Sequence, residues 1–288
     1  MRASGAAAAA STVAAQIAPP PRAKITSSVM LWTLKGAIAE RIEAAARAGI
    51  QSVELVSEHL QWSDAETARY KRLVRSFGMG IDAILAQPDW KKRPVSMVDP
   101  AQRDGFLSDV KQAIAYARRL EVPYIILMSG DAVAGRTHEQ QYASMLEGAK
   151  RAGELAAEAD VTLIVEPLNA KKEHKGFFLT DCAAGLKLVK EVNSPNMRLL
   201  YDIYHQQMQT GDVFSTLAEA VPYTGVFHVA DAPERNQPGR GTIDFPNVYR
   251  TIAKSGFSGV IAMEYLPEGD PVASLIRSVD QMRAGLRL

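Results

Sequence analysis

The feature that most constrains this chain is an alternation of short apolar runs with longer amphipathic stretches, which repeats eight times after Lys24. The short runs are rich in β-branched residues and mostly apolar throughout, as in strands that are buried on both faces of a parallel sheet. The predicted strands are Ile25–Met30, Ser52–Val56, Gly80–Leu85, Tyr124–Leu127, Thr162–Val165, Arg198–Tyr201, Gly225–His228 and Val260–Glu264.

The stretches between these runs have the spacing of amphipathic helices. Apolar residues from Ile38 to Ala46 fall on one face, and Gly49 follows at the position that a C-capping glycine takes. A second helical pattern covers Val110–Ala117, and Asp181 is placed as the N-cap of a helix from Ala183 to Val192.

Eight successive strand–helix units form either a closed barrel or a long doubly wound sheet. No Gly-x-Gly-x-x-Gly follows a predicted strand, and no long connection marks a reversal of strand order, so the usual signs of the open sheet are missing. We therefore predict an α/β fold, a (β/α)₈ TIM barrel, as a single domain over residues 23–288. The length fits one domain, because such barrels use about 250 residues.

Charge and cysteine content exclude several classes of partner and site. The chain has 33 Lys and Arg against 32 Asp and Glu, without a basic stripe, which gives no support for a nucleic-acid partner or an anionic membrane surface. No long apolar run follows the first twenty positions, so we predict no membrane span. Cys182 is the single cysteine, which excludes an intrachain disulfide and a Cys-rich metal site. The sequence does not decide whether the chain forms a homo-oligomer.

Residues 1–22 form an Ala- and Pro-rich tail ahead of the predicted barrel. One basic residue, Arg2, followed by small and apolar residues resembles the remnant of an export signal. An Ala-rich segment that ends in three prolines fits a loosely attached tail equally well. The predicted compartment is therefore the cytoplasm or, if the tail is an export signal, the periplasm.

In barrels of this kind, functional side chains lie at the C-terminal ends of the strands. The ends of the last four predicted strands carry potential metal ligands, namely Glu166, Asp202, His228 and Glu264. They are 36, 26 and 36 residues apart, which is about one strand–helix unit each. Because these strands are neighbours in a barrel, we expect the four side chains to meet at one rim.

Three carboxylates and one imidazole suit Mn²⁺ or Mg²⁺, with Co²⁺ as a further option. Without a cation, three carboxylates this close together would repel one another. A bound cation would polarise a substrate carbonyl and stabilise the enediolate that forms when a carbon-bound proton leaves. Each residue alone has an ordinary explanation as a helix cap, a loop ion-pair partner or a packing histidine, so the hypothesis depends on the quartet.

Motifs around these positions are shared with a known family. They are Glu166-Pro167-Leu168-Asn169, Tyr201–His205, Ala230–Pro233 with Arg235 and Gly239, Gly241–Phe245, Met263-Glu264-Tyr265 and Met128-Ser129-Gly130. From about Lys24 to its end, the chain resembles the hydroxypyruvate isomerase-like family of the xylose isomerase-like barrels, which also include the ketose 3-epimerases.

The resemblance implies metal binding by the same quartet, Glu166, Asp202, His228 and Glu264. It also implies that Glu166 and Glu264 exchange protons with the substrate on opposite faces. His205, Arg235 and Asn169 correspond to the family's substrate-contacting residues. The implied activity is isomerisation or epimerisation of a small hydroxy-ketone or ketose, a step of carbohydrate metabolism, by proton transfer through a cis-enediolate.

Two departures from the family leave the substrate open. Hydroxypyruvate isomerases commonly have Gln at the position of His228, where ketose epimerases have His. The loop 170–175 is lengthened and basic, and its Lys171 and Lys172 either meet an anionic substrate or are solvated; we expect His174 to be a loop residue and not a fifth ligand. The alternatives are a ketose 3-epimerase, a keto-sugar dehydratase, a phosphodiester hydrolase and a non-catalytic sugar-binding barrel. Of these, the hydrolase would require a basic channel for its substrate.

Overall fold

The computed structural model describes residues 24–87 and 95–287, in which eight parallel strands close into a barrel in sequence order. The strands are β1 (Ile25–Met30), β2 (Ser52–Leu55), β3 (Gly80–Leu85), β4 (Tyr124–Met128), β5 (Thr162–Glu166), β6 (Met197–Asp202), β7 (Thr224–Val229) and β8 (Gly259–Met263). Every bound lies within one residue of its prediction. The predicted TIM barrel is confirmed, and β8 closes it by pairing in parallel with β1.

The α-helices follow the strands along the chain and cover the outside of the barrel. They are α1 (Ile38–Arg47), α2 (Asp64–Ser76), α3 (Arg103–Leu120), α4 (His138–Ala159), α5 (Cys182–Val192), α6 (Ile203–Thr210), α7 (Phe214–Ala220), α8 (Phe245–Lys254) and α9 (Pro271–Gly285). The Asp181 carboxylate accepts a hydrogen bond of 2.9 Å from the backbone N–H of Ala184, as predicted for the cap of α5. In neither described range is a helix both long and apolar enough to cross a membrane.

Apolar side chains fill two layers, one between the strands and the helices and one inside the barrel. The members of the inner layer that have no exposed surface are Ala83, Ile126, Ile164, Leu200, Val226 and Ala262. Because side chains alternate in direction along a strand, the residues that follow these on the same face point into the barrel's carboxyl end. For β5, β6 and β7, those residues are Glu166, Asp202 and His228. The packed layer thus forms the floor of a polar rim.

The pairing of β2 with β3 contains an irregularity that brings a carboxyl group into the barrel. Val53 pairs with Ile81, but Glu54 pairs with Ala83, so Asp82 is the extra residue of a β-bulge. Its Oδ1 accepts a hydrogen bond of 2.5 Å from the hydroxyl of Ser28 on β1. The bulge therefore turns Asp82 inward, where it is 5% exposed.

The predicted tail, residues 1–22, lies outside the described residues. The free thiol of Cys182 is buried at the start of α5. Burial raises the pKa of this thiol well above its usual value, so the group is neutral and acts as an apolar packing residue.

Candidate active site

The four predicted ligands meet at the carboxyl end of the barrel. Glu166 and Asp202 end their strands, His228 is the penultimate residue of β7, and Glu264 directly follows β8. One ligand atom from each side chain can be chosen so that all four atoms lie within 4.8 Å of one another, and all four residues are buried. The expected convergence at one rim is confirmed, and the cluster could hold a metal ion.

The imidazole of His228 faces the three carboxylates through Nδ1. This nitrogen lies 3.0 Å from Glu264 Oε2, 3.7 Å from Glu166 Oε1 and 4.0 Å from Asp202 Oδ2. The donor atoms are thus gathered around one point before any ion is considered. Oxygen and imidazole nitrogen are donors that Mn²⁺, Mg²⁺ and Co²⁺ accept.

Burial makes the negative charge of this cluster costly. Burial raises the pKa of Glu166, and burial together with the charge of Glu264 raises the pKa of Asp202 well above its usual value. Burial acts against a charged His228, yet the surrounding carboxylates, Glu54 foremost, outweigh it and raise the pKa of the imidazole. A divalent cation would compensate such a concentration of carboxylates. The residues present therefore fit a metal centre.

Glu264 differs from the other carboxylates because a cation is already beside it. Burial would raise its pKa, but the guanidinium of Arg235 and the imidazole of His228 outweigh burial and lower it. Arg235 Nη2 lies 2.9 Å from Glu264 Oε1, and its guanidinium lies over the rings of Trp32 and Tyr204 at 5.5 and 5.2 Å. Arg235 is therefore fixed at the rim and is not a solvated loop cation.

The loop after β7, which carries Arg235, is organised by one carboxylate. Asp231 accepts hydrogen bonds from the backbone N–H groups of Gly239, Gly241 and Ile243 at 2.9, 2.8 and 3.1 Å. A Cβ on Gly241 would collide with the carbonyl of Ala232, which explains why glycine stands there. The Ala-Asp-Ala-Pro and Gly-Thr-Ile-Asp motifs thus close the loop that presents Arg235.

His205 and Asn169 form a buried pair next to the cluster. Asp202 caps α6, accepting a hydrogen bond of 2.7 Å from the backbone N–H of His205. The imidazole Nδ1 of His205 lies 2.6 Å from the side-chain amide of Asn169, and both residues are at most 1% exposed. Burial, and then the charge of Arg235, lowers the pKa of His205 well below its usual value. The two residues share the rim with the quartet, and their contact with a substrate stays a prediction.

The lengthened basic loop after β5 is attached to the rim. Glu173 accepts hydrogen bonds from the amide of Asn169 at 2.6 Å and from the hydroxyl of Tyr204. Lys172 is exposed, yet its Nζ donates a hydrogen bond of 2.7 Å to the carbonyl of Pro233. His174 lies outside the four-ligand cluster, and its ring centroid is 5.3 Å from that of His205. The loop after β5 therefore connects the β5 and β7 sides of the rim through hydrogen bonds.

Two residues of the site were not predicted from the strand ends of the sequence. Glu54, which is fully buried, places Oε2 2.9 Å from Nε2 of His228. It was missed because it lies inside β2 and not after it, although a charged residue within a buried apolar strand is itself a signal. Trp32 follows β1 and donates a hydrogen bond of 3.1 Å from Nε1 to Glu264 Oε1. An aromatic residue next to a strand end carries no such signal.

Two curated relatives are similar to this chain over most of its length. Hydroxypyruvate isomerase of Escherichia coli (strain K12) is 30% identical over 238 residues, which cover 82% of this chain and 90% of that protein. The 2-oxo-tetronate isomerase of Cupriavidus necator is 28% identical, and the match covers 83% of this chain and 91% of that protein.

Solved structures show the same fold at lower sequence identity. A family 2 AP endonuclease from Brucella melitensis superposes with a TM-score of 0.79 at 23% identity, over 90% of this chain and 98% of that one. An L-ribulose 3-epimerase superposes with a TM-score of 0.74 at 20% identity, over 92% and 94% of the two chains. Residues 42–285 match the family described as xylose isomerase-like TIM barrel. The matched residues and the closed eight-stranded barrel agree with that description, and the chain belongs to the xylose isomerase-like TIM barrel family.

Proposed function

We propose that this chain is a divalent-metal-dependent isomerase or epimerase that acts on a small hydroxy-ketone or ketose. The observation that carries the proposal is the buried convergence of three carboxylates and one imidazole within 4.8 Å at the barrel rim. Its similarity to a hydroxypyruvate isomerase and a 2-oxo-tetronate isomerase supports the reaction class.

In this proposal the quartet at the rim holds Mn²⁺ or Mg²⁺, with Co²⁺ as the third option. When bound there, the cation polarises the substrate carbonyl and makes the hydrogen on the neighbouring carbon more acidic. Glu166, Asp202 and Glu264 supply carboxylate oxygens, and His228 supplies Nδ1, the nitrogen that faces them.

Glu166 and Glu264 are the proposed acid/base pair. Burial raises the pKa of Glu166, whereas Arg235 and His228 lower that of Glu264 despite its burial. Two carboxyl groups with different proton affinities can divide the roles of acid and base. One accepts the proton from the carbon next to the carbonyl, giving a cis-enediolate of the substrate, and the other delivers a proton from the opposite face. An epimerase receives this proton on the same carbon; an isomerase receives it on the former carbonyl carbon, while the hydroxyl proton moves to the former carbonyl oxygen. Each Glu needs one oxygen that is not bound to the cation for this exchange.

The proposed substrate contacts are Arg235, His205 and Asn169. Arg235 offers a planar set of N–H donors at the rim, held by Trp32 and Tyr204. Because its pKa is lowered, His205 is neutral, and since its Nδ1 accepts from Asn169, its Nε2–H can donate a hydrogen bond to a hydroxyl group. These groups suit a polar, oxygen-rich small molecule.

Deuterium incorporation tests this proposal. The full chain, loaded with Mn²⁺, is incubated in D₂O with hydroxypyruvate and a panel of ketoses, and mass spectrometry and NMR locate the deuterium. We expect incorporation next to the carbonyl, its loss on chelation and its recovery with Mn²⁺. A chain that binds no divalent ion contradicts the metal centre. A loaded chain that binds sugars without exchanging hydrogen identifies a non-catalytic barrel.

A ketose 3-epimerase is the second candidate, and His228 favours it. The same experiment separates the two reactions, because an epimerase places solvent deuterium on the carbon that lost the proton, with inverted configuration. An isomerase moves the carbonyl to the neighbouring carbon. The product's constitution, read by NMR, therefore decides between them.

A further inference from the structure

His228 is enclosed on both sides by carboxylates. Nδ1 faces the proposed ligand cluster, and Nε2 lies 2.9 Å from Glu54 Oε2. Both side chains have no exposed surface. Within the described part of the chain, neither Nε2 nor the two Glu54 oxygens have a partner in hydrogen-bonding geometry, and Oε2 is the carboxylate oxygen that faces Nε2. The only anionic group placed to receive a proton from Nε2 is thus Glu54.

We propose that Glu54 is a positioning residue that holds His228 with its proton on Nε2, so that the lone pair of Nδ1 points into the metal site. The inference rests on the proposed metal centre and adds a residue that binds neither metal nor substrate. A neutral imidazole carries one N–H and one lone pair, so fixing the N–H fixes the ligand atom. Partners of this kind orient a ligating imidazole and raise its basicity.

The β-bulge in β3 places the carboxyl group of Asp82 next to Glu54. It turns Asp82 into the barrel, where Ser28 donates a hydrogen bond to Oδ1 and Oδ2 is left without a donor. Burial, and then the neighbouring charge of Glu54, raises the pKa of Asp82 well above its usual value. A proton kept on Asp82 makes it a donor to Glu54 and not a second anion.

The same arrangement would also hold a Gln at position 228. A Gln side chain has one acceptor oxygen and one N–H₂ group. With the N–H₂ donating to Glu54, its oxygen would face the cluster in place of Nδ1. Glu54 would therefore orient both residues in the same sense, although only imidazole gains basicity from the contact.

The test compares Glu54→Met, Glu54→Gln and the parent in two measurements. The first is ¹⁵N NMR of the Mg²⁺-loaded chain with labelled histidine, in which 5 His residues give few signals and His228→Gln assigns the relevant pair. The second is the Co²⁺ dissociation constant. Removal of a partner of this kind typically weakens binding by about 10–100-fold. We expect Glu54→Met to shift the ¹⁵N signal of Nε2–H away from its position in the parent and to weaken Co²⁺ binding by this amount.

Glu54→Gln is the conservative variant, since its amide oxygen can still accept from Nε2. It should keep the Nε2–H form and give a Co²⁺ affinity between the other two. Asp109→Asn is the matched control, because Asp109 is a buried carboxylate on α3, and it should bind Co²⁺ as the parent does. If the parent binds metal and the Glu54 variants give the same NMR signals and the same Co²⁺ dissociation constant, the role of Glu54 is wrong but the proposed function is not affected. A parent that binds neither ion overturns the proposed function with it.

Discussion

Arg235 and Glu264 form an ion pair inside the rim of the barrel, with Nη2 2.9 Å from Oε1. Their side chains are only 14% and 9% exposed, so water screens the pair weakly. The indole N–H of Trp32 donates to the same oxygen, and Oε2 faces His228. Glu264 thus directs Oε2 into the ligand cluster, and Oε1, which Arg235 and Trp32 contact at the rim, is the oxygen that remains for the proposed proton exchange.

Replacing Arg235 by Met should impair the proton exchange proposed for Glu264. Loss of a hydrogen bond to a charged group costs about 1.5–3 kcal/mol, which corresponds to roughly 10–100-fold in kcat/KM. Since Arg235 lowers the pKa of Glu264, its removal should raise that pKa and move the acidic limb of the pH profile to higher pH. Arg235→Lys keeps the charge without the planar contact to Trp32 and Tyr204 and should be intermediate. An unshifted limb in Arg235→Met contradicts the assignment.

Glu166→Gln and Glu264→Gln should each reduce turnover by about 10²-fold or more. Each variant keeps an oxygen that can bind the cation but cannot carry the proton. Asp202→Asn is the control, because Asp202 has no proposed proton role, and its activity should recover as Mn²⁺ is raised. Steady-state kinetics at saturating Mn²⁺ measures all three. Near-normal turnover in both Glu variants would place the acid/base pair elsewhere.

His228→Gln should give a stable barrel with a changed metal preference. Imidazole nitrogen favours the later transition metals, so Co²⁺ and Mn²⁺ affinities should fall more than Mg²⁺ affinity. Dissociation constants measured by calorimetry for the three ions check this, with thermal melting of the metal-free protein as a control for folding. If the variant binds all three ions as the parent does, His228 is not a ligand.

The stability of the chain should fall in mild acid because of His59. Burial, and then the charge of Arg119, lowers the pKa of this buried imidazole from 6.5 to about 4. Between those values the unfolded chain takes up a proton that the folded chain does not, so the stabilisation is complete above pH 6.5 and declines towards pH 4. The decline from this group amounts to roughly 3 kcal/mol.

Urea unfolding at about pH 7.5 and about pH 5 measures the difference in the free energy of unfolding. The linkage relation converts this difference into the number of protons taken up on unfolding. In His59→Gln, the difference in the free energy of unfolding between the two conditions should shrink. His138→Gln removes a histidine from an exposed position and should keep the parent's difference. An equal pH dependence in parent and His59→Gln would show that other groups govern acid unfolding.

Deleting residues 1–22 should leave melting temperature and activity unchanged. Alanine offers little apolar area to bury, and the prolines end any helix before β1. Differential scanning calorimetry and the deuterium assay compare the shortened and full chains. A marked drop in melting temperature would mean that the tail contributes to the folded state.

The sequence predicted the strands to within one residue because continuous apolar runs bounded by helical patterns allow few other interpretations. It also located the quartet, since each member follows such a run. It did not reveal Glu54, whose contact with His228 joins strands that are distant in the chain. Asp82 could not be found either, because a bulge changes strand register without changing periodicity. Trp32 meets Glu264 only once β8 pairs with β1, and Arg235 meets it only once the loop after β7 has folded beside β8.

The four proposed ligands all come from β5 to β8, whereas Glu54, Asp82 and Trp32 come from the first three strand–loop units. The barrel thus separates its metal donors from three of the groups that tune them, and it does so along the chain. A mutant library confined to residues 24–87 would vary the charge and hydrogen bonding around the site while leaving every ligand in place. For protein engineering, the three tuning groups and the four proposed ligands can therefore be varied separately, because each set is encoded in its own half of the gene.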